Sequence, residues 1–188
     1  DGKDATITAV DAEGGGILWQ TPSKHIARTT LAAADGRVCF HNGAEAVCLD
    51  LRNGKELWRA PCKGSQRGGT LLIYRGAVLC SVAGGLRAFA ADTGKPLWKG
   101  PGVHRRLWVF GASGLVWLTS IQEHGRTFLW TPAATVSTGY DPMTGEVKRT
   151  VTVSHLISPG HHIRCYPAKA TDRYLLLPKR GVEFVDLQ

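Results

Sequence analysis

A short pattern that recurs four times along the chain constrains its fold more than any other feature of the sequence. Each copy is an apolar stretch followed by an acidic or small residue, a glycine four positions later, and an aromatic or basic residue eight positions later. The copies read AVDAEGGGILW, VCLDLRNGKELW, AFAADTGKPLW and GYDPMTGEVKR, and a fifth begins at EFVDL. The acidic or small residue of the pattern recurs at intervals of 39, 40, 51 and 45 residues. Self-similarity at such a period is typical of proteins that stack one supersecondary unit many times.

Each copy is interpreted as a β-hairpin. The acidic side chain can cap backbone amides inside the turn, and the glycine supplies the positive φ that the turn requires. The tryptophan buries a large apolar area once per copy. Ala90 replaces the acid in the third copy, and Arg149 replaces the tryptophan in the fourth. The residues expected to hold the repeat together are Asp11, Gly15, Trp19, Asp50, Gly54, Trp58, Gly94, Trp98, Asp141 and Gly145.

The segments between these hairpins follow a second common plan. TTLAAADGRVCFHN, GTLLIYRGAVLCSV and RLWVFGASGLVWLTS each contain two apolar runs joined by a turn that ends in glycine. Each period therefore holds four short strands, and no stretch has the apolar spacing of an amphipathic helix. Four antiparallel strands per period are typical of a β-propeller blade. We predict an all-β propeller segment over residues 1–188, with about four to four and a half blades at roughly 1–20, 21–60, 61–100, 101–150 and 151–188, as an open arc or part of a larger ring.

The repeated motif resembles that of the PQQ-like, or quinoprotein-type, β-propeller family, whose repeat reads AxDxxTGxxxW. CLDLRNGKELW and AFAADTGKPLW are the closest copies, and the resemblance extends from Ala9 to Asp186. It implies that the three tryptophans of the repeat pack across to the neighbouring blade. The interface at Arg149 is then expected to be weaker or differently built.

The resemblance also implies a setting for the chain. The final segment is similar to parts of large extracytoplasmic bacterial proteins that carry such repeats, so we expect a fragment of such a protein, in the periplasm or secreted. Propellers of this family usually close with more blades than this chain holds. Because an open arc exposes strand edges and apolar faces, we expect the remaining blades of a parent chain, or a second copy, to cover them.

Two polar clusters are the candidate ligand sites. His124 and Arg126 lie in the extra residues of the fourth repeat, between Ile121 and Gly139, where insertions often form a binding face. The alternative is a longer hairpin that packs on itself.

The second cluster is HHIRC, which contains His161, His162 and Arg164 followed by a cysteine. In a loop the two imidazoles and the thiol could bind a transition metal, whereas in a strand neighbouring side chains point to opposite faces. An anionic or sugar ligand near His162 and Arg164, or ordinary loop polarity, are the other interpretations. We assign no metal ligand.

Charge and hydropathy argue against a nucleic-acid partner and against a membrane-spanning segment. The net charge is +8, from 23 basic and 15 acidic residues, but the basic residues are scattered and form no long run. We therefore expect no nucleic-acid partner. No apolar stretch approaches the length of a membrane span, so none is expected.

The five cysteines lack the CxxC spacing of zinc fingers, thioredoxin motifs and haem attachment sites, and buried thiols are the simplest interpretation. Cys39 and Cys48 flank the turn HNGAE. If Gly43 and Ala44 form its centre, the two cysteines lie opposite each other and could form a cross-strand disulfide. If Asn42 and Gly43 form the centre, the strand register shifts and the two cysteines no longer lie opposite each other.

These observations favour a non-catalytic binding or scaffold module for protein or carbohydrate ligands, and leave enzymatic activity open. One alternative is a portion of a PQQ-dependent dehydrogenase. Such enzymes carry an adjacent-cysteine disulfide, calcium ligands and a catalytic aspartate, but this chain has no Cys-Cys pair and its repeated aspartates are explained by turns. We therefore expect no cofactor, and PQQ is not favoured. The other alternative is an interaction domain appended to a signalling enzyme or methyltransferase.

Overall fold

The chain folds into antiparallel β-sheets, as predicted. The computed structural model describes residues 4–64, 69–82, 85–101, 108–122, 132–157, 169–179 and 181–187. Within these ranges it contains seventeen strands and no helix. The described part of the chain therefore holds no helix that could cross a membrane.

The strands form five sheets, which we call blades 1 to 5. Blade 1 is β1 (Ala5–Val10) and β2 (Ile17–Ser23). Blade 2 is β3 (Ala32–Ala34), β4 (Arg37–His41), β5 (Glu45–Asp50) and β6 (Glu56–Pro61). Blade 3 is β7 (Thr70–Tyr74), β8 (Ala77–Val82), β9 (Gly85–Ala90) and β10 (Pro96–Lys99). Blade 4 is β11 (Trp108–Ala112), β12 (Leu115–Gln122), β13 (Pro132–Tyr140) and β14 (Val147–Ile157). Blade 5 is β15 (Lys169–Ala170), β16 (Tyr174–Lys179) and β17 (Gly181–Asp186).

Strand order within each sheet follows the chain, so every blade is a simple antiparallel meander. The described sheets have two, four, four, four and three strands, which agrees with four strands per repeat and an incomplete first and last blade. This topology needs only short turns between neighbouring strands, and the positive-φ glycines supply them.

The extra residues of the fourth repeat lengthen a hairpin. β12 pairs with β13 from Val116 opposite Tyr140 to Gln122 opposite Ala134, and β14 continues the sheet with eleven residues. β12 and β13 thus form a long hairpin, and its connecting residues 123–131, which include His124 and Arg126, lie outside the described ranges.

The chain divides into two compact units, residues 1–102 with blades 1 to 3 and residues 103–188 with blades 4 and 5. In the first unit, blade 2 is buried on both faces. Val38 and Phe40 pack with Ile7 and Trp19 of blade 1, whereas the alternate residues of β4 and β5 face blade 3. In the second unit, blades 4 and 5 share a core whose buried members are Ala112, Trp117, Leu175 and Leu187.

Candidate functional site

The glycine turns of the repeat adopt one conformation in all four copies. The glycine φ angles are 69°, 69°, 70° and 74° at Gly15, Gly54, Gly94 and Gly145. Each glycine N–H donates to the carbonyl four residues earlier, at 2.8–2.9 Å. This left-handed conformation strains any residue with a Cβ, which explains why glycine recurs at this position.

The repeated aspartates cap these turns. Asp11 accepts hydrogen bonds from the backbone of Glu13 and Gly14, and Asp50 from that of Arg52. Asp141 accepts from the backbone N–H groups of the two residues at 143 and 144, both at 2.9 Å, and these bonds lower the pKa of its carboxyl group. The three carboxylates are thus engaged in local structure.

The tryptophans of the first two hairpins dock onto the turn of the next blade. The indole Nε1 of Trp19 donates to the carbonyl oxygen of Leu51, and that of Trp58 donates to Ala91, both at 2.9 Å. A Cβ on Gly54 would lie 2.5 Å from Cε3 of Trp19, and one on Gly94 would lie 2.5 Å from the same atom of Trp58. The rings therefore cover the glycines directly. Both rings are buried, and Trp98 is partly buried.

Arg149 occupies the tryptophan position of the fourth copy and is partly buried. Its Nη2 donates to the carbonyl oxygen of Asp186 at 3.5 Å, so a guanidinium group contacts the backbone of the next blade where an indole does so elsewhere. A 3.5 Å bond is longer than the indole bonds, and it lies at the limit of hydrogen-bond geometry.

A cleft of about 470 Å³ lies between blades 1 and 2. Its apolar lining comes from Phe40, Val47 and Leu49, which are almost fully buried. Charged side chains from both blades also line it, namely Lys24, Glu45, Glu56 and Arg59. The cleft therefore presents charged groups of both signs above a floor of buried core side chains.

Arg59 links the two acidic residues of this cleft. Its guanidinium nitrogens lie 3.2 Å from Glu45 and 2.5 Å from Glu56, and its side chain is about half exposed. The hydrogen bond from Arg59 lowers the pKa of Glu56. Exposed ion pairs contribute little to stability. Replacing these ion pairs by pairs with charged groups of a ligand therefore costs little free energy.

A second cluster is buried between blades 2 and 3. Cys39, Cys48, Cys62 and Cys80 are each at most 1% exposed and belong to one core. The turn after β4 has Gly43 and Ala44 at its centre, since the Asn42 N–H donates to the Glu45 carbonyl. Cys39 and Cys48 therefore lie directly opposite each other, with sulfurs 2.8 Å apart. The structure has both as free thiols.

His41 joins this cluster from the same face of β4 as Cys39. Its Nδ1 accepts the N–H of Gly43 at 3.0 Å, so Nε2 carries the proton and donates to the Cys62 carbonyl at 2.6 Å. The ligand atoms of His41, Cys62 and Cys80 lie within 4.8 Å of one another. A metal bound at this imidazole would have to displace one of its two backbone hydrogen bonds, so the histidine fits a structural role better.

The ligand candidates named from the sequence, His124, Arg126, His161, His162 and Arg164, lie outside the described residues. Sequence reasoning did not identify the cleft or His41. The alternation of β4, which places Cys39 and His41 on one face, was the signal for the buried cluster. The cleft had no local signal, because two blades build it.

The repeated turns, the docking tryptophans and the meander sheets define a β-propeller segment built from PQQ-like repeats. The sequence profile of the family described as "Outer membrane protein assembly factor BamB" matches residues 3–155, and the chain belongs to this family.

Solved structures share the fold at low sequence identity. BamB from Moraxella catarrhalis is 15% identical, with a TM-score of 0.64 over 95% of this chain and 49% of that one. The computationally designed Ika4 protein is 16% identical, with a TM-score of 0.64 over 93% of this chain and 99% of that one.

A curated relative has a different description. The serine/threonine-protein kinase AfsK of Streptomyces coelicolor is 35% identical over 71 residues, which are 37% of this chain and 9% of the kinase. This chain thus spans a small part of the kinase and about half of the Moraxella BamB.

Proposed function

We propose that this chain is a non-catalytic propeller module that binds a protein partner outside the cytoplasm. The cleft between blades 1 and 2 carries the proposal, because it is concave and carries charged side chains of both signs. An extended peptide segment could lie along the mouth of the cleft and pair its own charges with Arg59 and Glu56, which are partly exposed there. The family description, an outer membrane assembly factor, supports a protein ligand and an extracytoplasmic setting.

The contacts of the repeat support a binding role over catalysis. The carboxylates of Asp11, Asp50 and Asp141 accept hydrogen bonds from turn amides. A quinone-dependent dehydrogenase would need carboxylates for calcium and for proton abstraction. Groups that already cap turns would have to give up those bonds to serve in this way.

The kinase relative favours a second candidate within the same class. An identity of 35% over 71 residues is consistent with a propeller module appended to a signalling kinase. In that role the cleft would bind the molecule that the kinase senses, and the kinase domain would lie elsewhere in the same polypeptide. Sequencing the parent gene on both sides of this segment distinguishes the two settings, since a kinase domain in the same reading frame supports the second.

A peptide selection tests the proposed function. The whole chain is immobilised and challenged with a displayed library of random peptides, and enriched peptides are measured by fluorescence polarisation. The test variant combines Lys24→Glu with Glu56→Lys, which leaves the net charge unchanged. The matched control combines Glu146→Lys with Lys148→Glu, an exposed pair 2.6 Å apart in the second unit.

We expect the cleft variant to weaken peptide binding by roughly tenfold or more, since complementary charges at an interface are then reversed. The control should change it less than about twofold, because exposed charges away from the ligand contribute little. Equal losses in both variants, or enrichment of no peptide at all, would overturn the proposal.

A further inference from the structure

Four of the five cysteines of this chain meet in a single core. Cys39 and Cys48 lie on neighbouring strands of blade 2, Cys62 directly follows that blade, and Cys80 lies on β8 of blade 3. The sequence separations between them are 9, 14 and 18 residues, which gave no indication of a cluster. Their convergence depends on how blades 2 and 3 pack, and neither the proposed cleft nor the repeat uses these thiols.

The first pair has the backbone placement of a cross-strand disulfide. The hydrogen bond from Asn42 to Glu45 fixes the alternation of the ladder, so Cys39 and Cys48 form a non-hydrogen-bonded pair. Cα atoms at such positions are about 4.5 Å apart, which lies within the range that a disulfide spans. The sulfurs are already 2.8 Å apart.

The second pair crosses between blades. The sulfurs of Cys62 and Cys80 lie within 4.8 Å of each other. The backbone of Cys62 is held on both sides, because its N–H donates to the Ala44 carbonyl at 2.8 Å and its carbonyl accepts from His41. His41 thereby positions Cys62 against blade 3, so a bond between these sulfurs would fasten the two blades together.

We propose that this core is a two-disulfide site, in which Cys39 pairs with Cys48 and Cys62 pairs with Cys80 by exchange with a small-molecule disulfide such as oxidised glutathione. The proposal does not depend on the partner-binding function, because it concerns only the chain and its oxidant.

The chemistry begins with one thiolate of each pair, because the thiolate is the attacking species. In the opened core the two cysteines of a pair are not yet hydrogen-bonded to each other, so either one can attack first.

In the first step the thiolate attacks one sulfur of oxidised glutathione, forms a mixed disulfide and expels one glutathione thiolate. The partner cysteine then loses its proton, attacks the protein sulfur of the mixed disulfide and expels the second glutathione. Each pair gives up two electrons and two protons, and each molecule of glutathione disulfide becomes two thiols. Because the thiols are at most 1% exposed, exchange requires the core to open, and we expect it during folding.

The experiment uses the whole chain with Cys165→Ser as its only change, so that four thiols remain. The protein is unfolded, reduced and refolded in a glutathione redox buffer, then denatured and alkylated for intact mass measurement and peptide mapping. We expect no alkylated cysteine, and cross-linked peptides that join residue 39 to 48 and residue 62 to 80. Reductant should lower the Tm by roughly 5 °C or more.

Two paired variants check the assignment. Cys39→Ser with Cys48→Ser should retain only the disulfide between blades, and Cys62→Ser with Cys80→Ser only the cross-strand one. Four alkylated thiols after refolding would overturn the proposal, as would disulfides that join residues 39 or 48 to residues 62 or 80. Stoichiometric zinc that a chelator removes, with four reactive thiols left behind, would overturn it in favour of a metal site. The first measurement leaves all four cysteines in place, so it stands even if a paired variant fails to fold.

Discussion

The contact between a tryptophan and the glycine of the next blade predicts an unequal response to two chemically identical substitutions. Gly94 and Gly15 have φ angles of +70° and +69°, so Gly→Ala places a Cβ in the same unfavourable region at both. That strain costs about 1–2 kcal/mol. At Gly94 the new Cβ would also lie 2.5 Å from Cε3 and 2.7 Å from Cδ2 of Trp58, whereas at Gly15 nothing lies within 4 Å.

The clash adds a second cost at Gly94 alone. Trp58 is buried, and its indole is held by the hydrogen bond to Ala91, so the ring cannot move away freely. Overpacking of this kind costs about 1–3 kcal/mol, and weakening the indole hydrogen bond adds about 0.5–1.5 kcal/mol. We therefore expect Gly15→Ala to lower the free energy of unfolding by about 1–2 kcal/mol and Gly94→Ala by about 2.5–6.5 kcal/mol.

Urea denaturation followed by far-ultraviolet circular dichroism measures both losses, since this signal does not depend on tryptophan. Repeating the two substitutions in a Trp58→Ala background completes the cycle. Trp58→Ala costs about 3–5 kcal/mol by itself, but it removes the ring that the Cβ would meet. The difference between the two glycine positions should then fall below about 0.5 kcal/mol. Equal losses in the natural background, or a difference that survives without the ring, would refute the docking contact.

Three further predictions concern cofactor, assembly and acid stability. Equilibrium dialysis with PQQ and calcium should show no stoichiometric uptake at micromolar concentration, because the repeated aspartates cap turns. Uptake, or dye-linked alcohol oxidation, would favour the dehydrogenase alternative. Light scattering should show a mass above the 20.3 kDa of one chain, because Leu18 of blade 1 and Phe184 of blade 5 are each 64% exposed. A sharp monomer at high concentration would contradict this. Asp141→Asn should lower the Tm more at pH 6 than near pH 3. The folded pKa of this carboxyl is depressed, so its contribution exists above the unfolded pKa of about 3.9 and disappears as the pH falls through the folded value. An equal Tm difference at both pH values would contradict that assignment.

The sequence was most informative where structure is decided locally. Each of the turns at Gly15, Gly54, Gly94 and Gly145 depends on one residue that tolerates positive φ. The spacing of glycines in the sequence was therefore enough to place these turns. The number of strands followed from the spacing of these turns.

Features that depend on register or on long-range packing were harder to predict. Whether Cys39 faces Cys48 depended on a one-residue choice of turn centre, which the sequence left open. The contact from His41 to Cys62 joins residues 21 positions apart through the end of β6. The cleft arises from side chains of two blades, so no single stretch of sequence contains it.

The most direct test of the proposed binding surface is hydrogen–deuterium exchange of the chain with and without a selected peptide. The cleft is lined from three segments, residues 21–24, 40–49 and 56–59. A bound peptide should slow exchange in these segments and leave the turn at residues 141–146 unchanged, because that turn lies in the other unit. Protection in the turn at 141–146 with none in the three cleft segments would contradict the account.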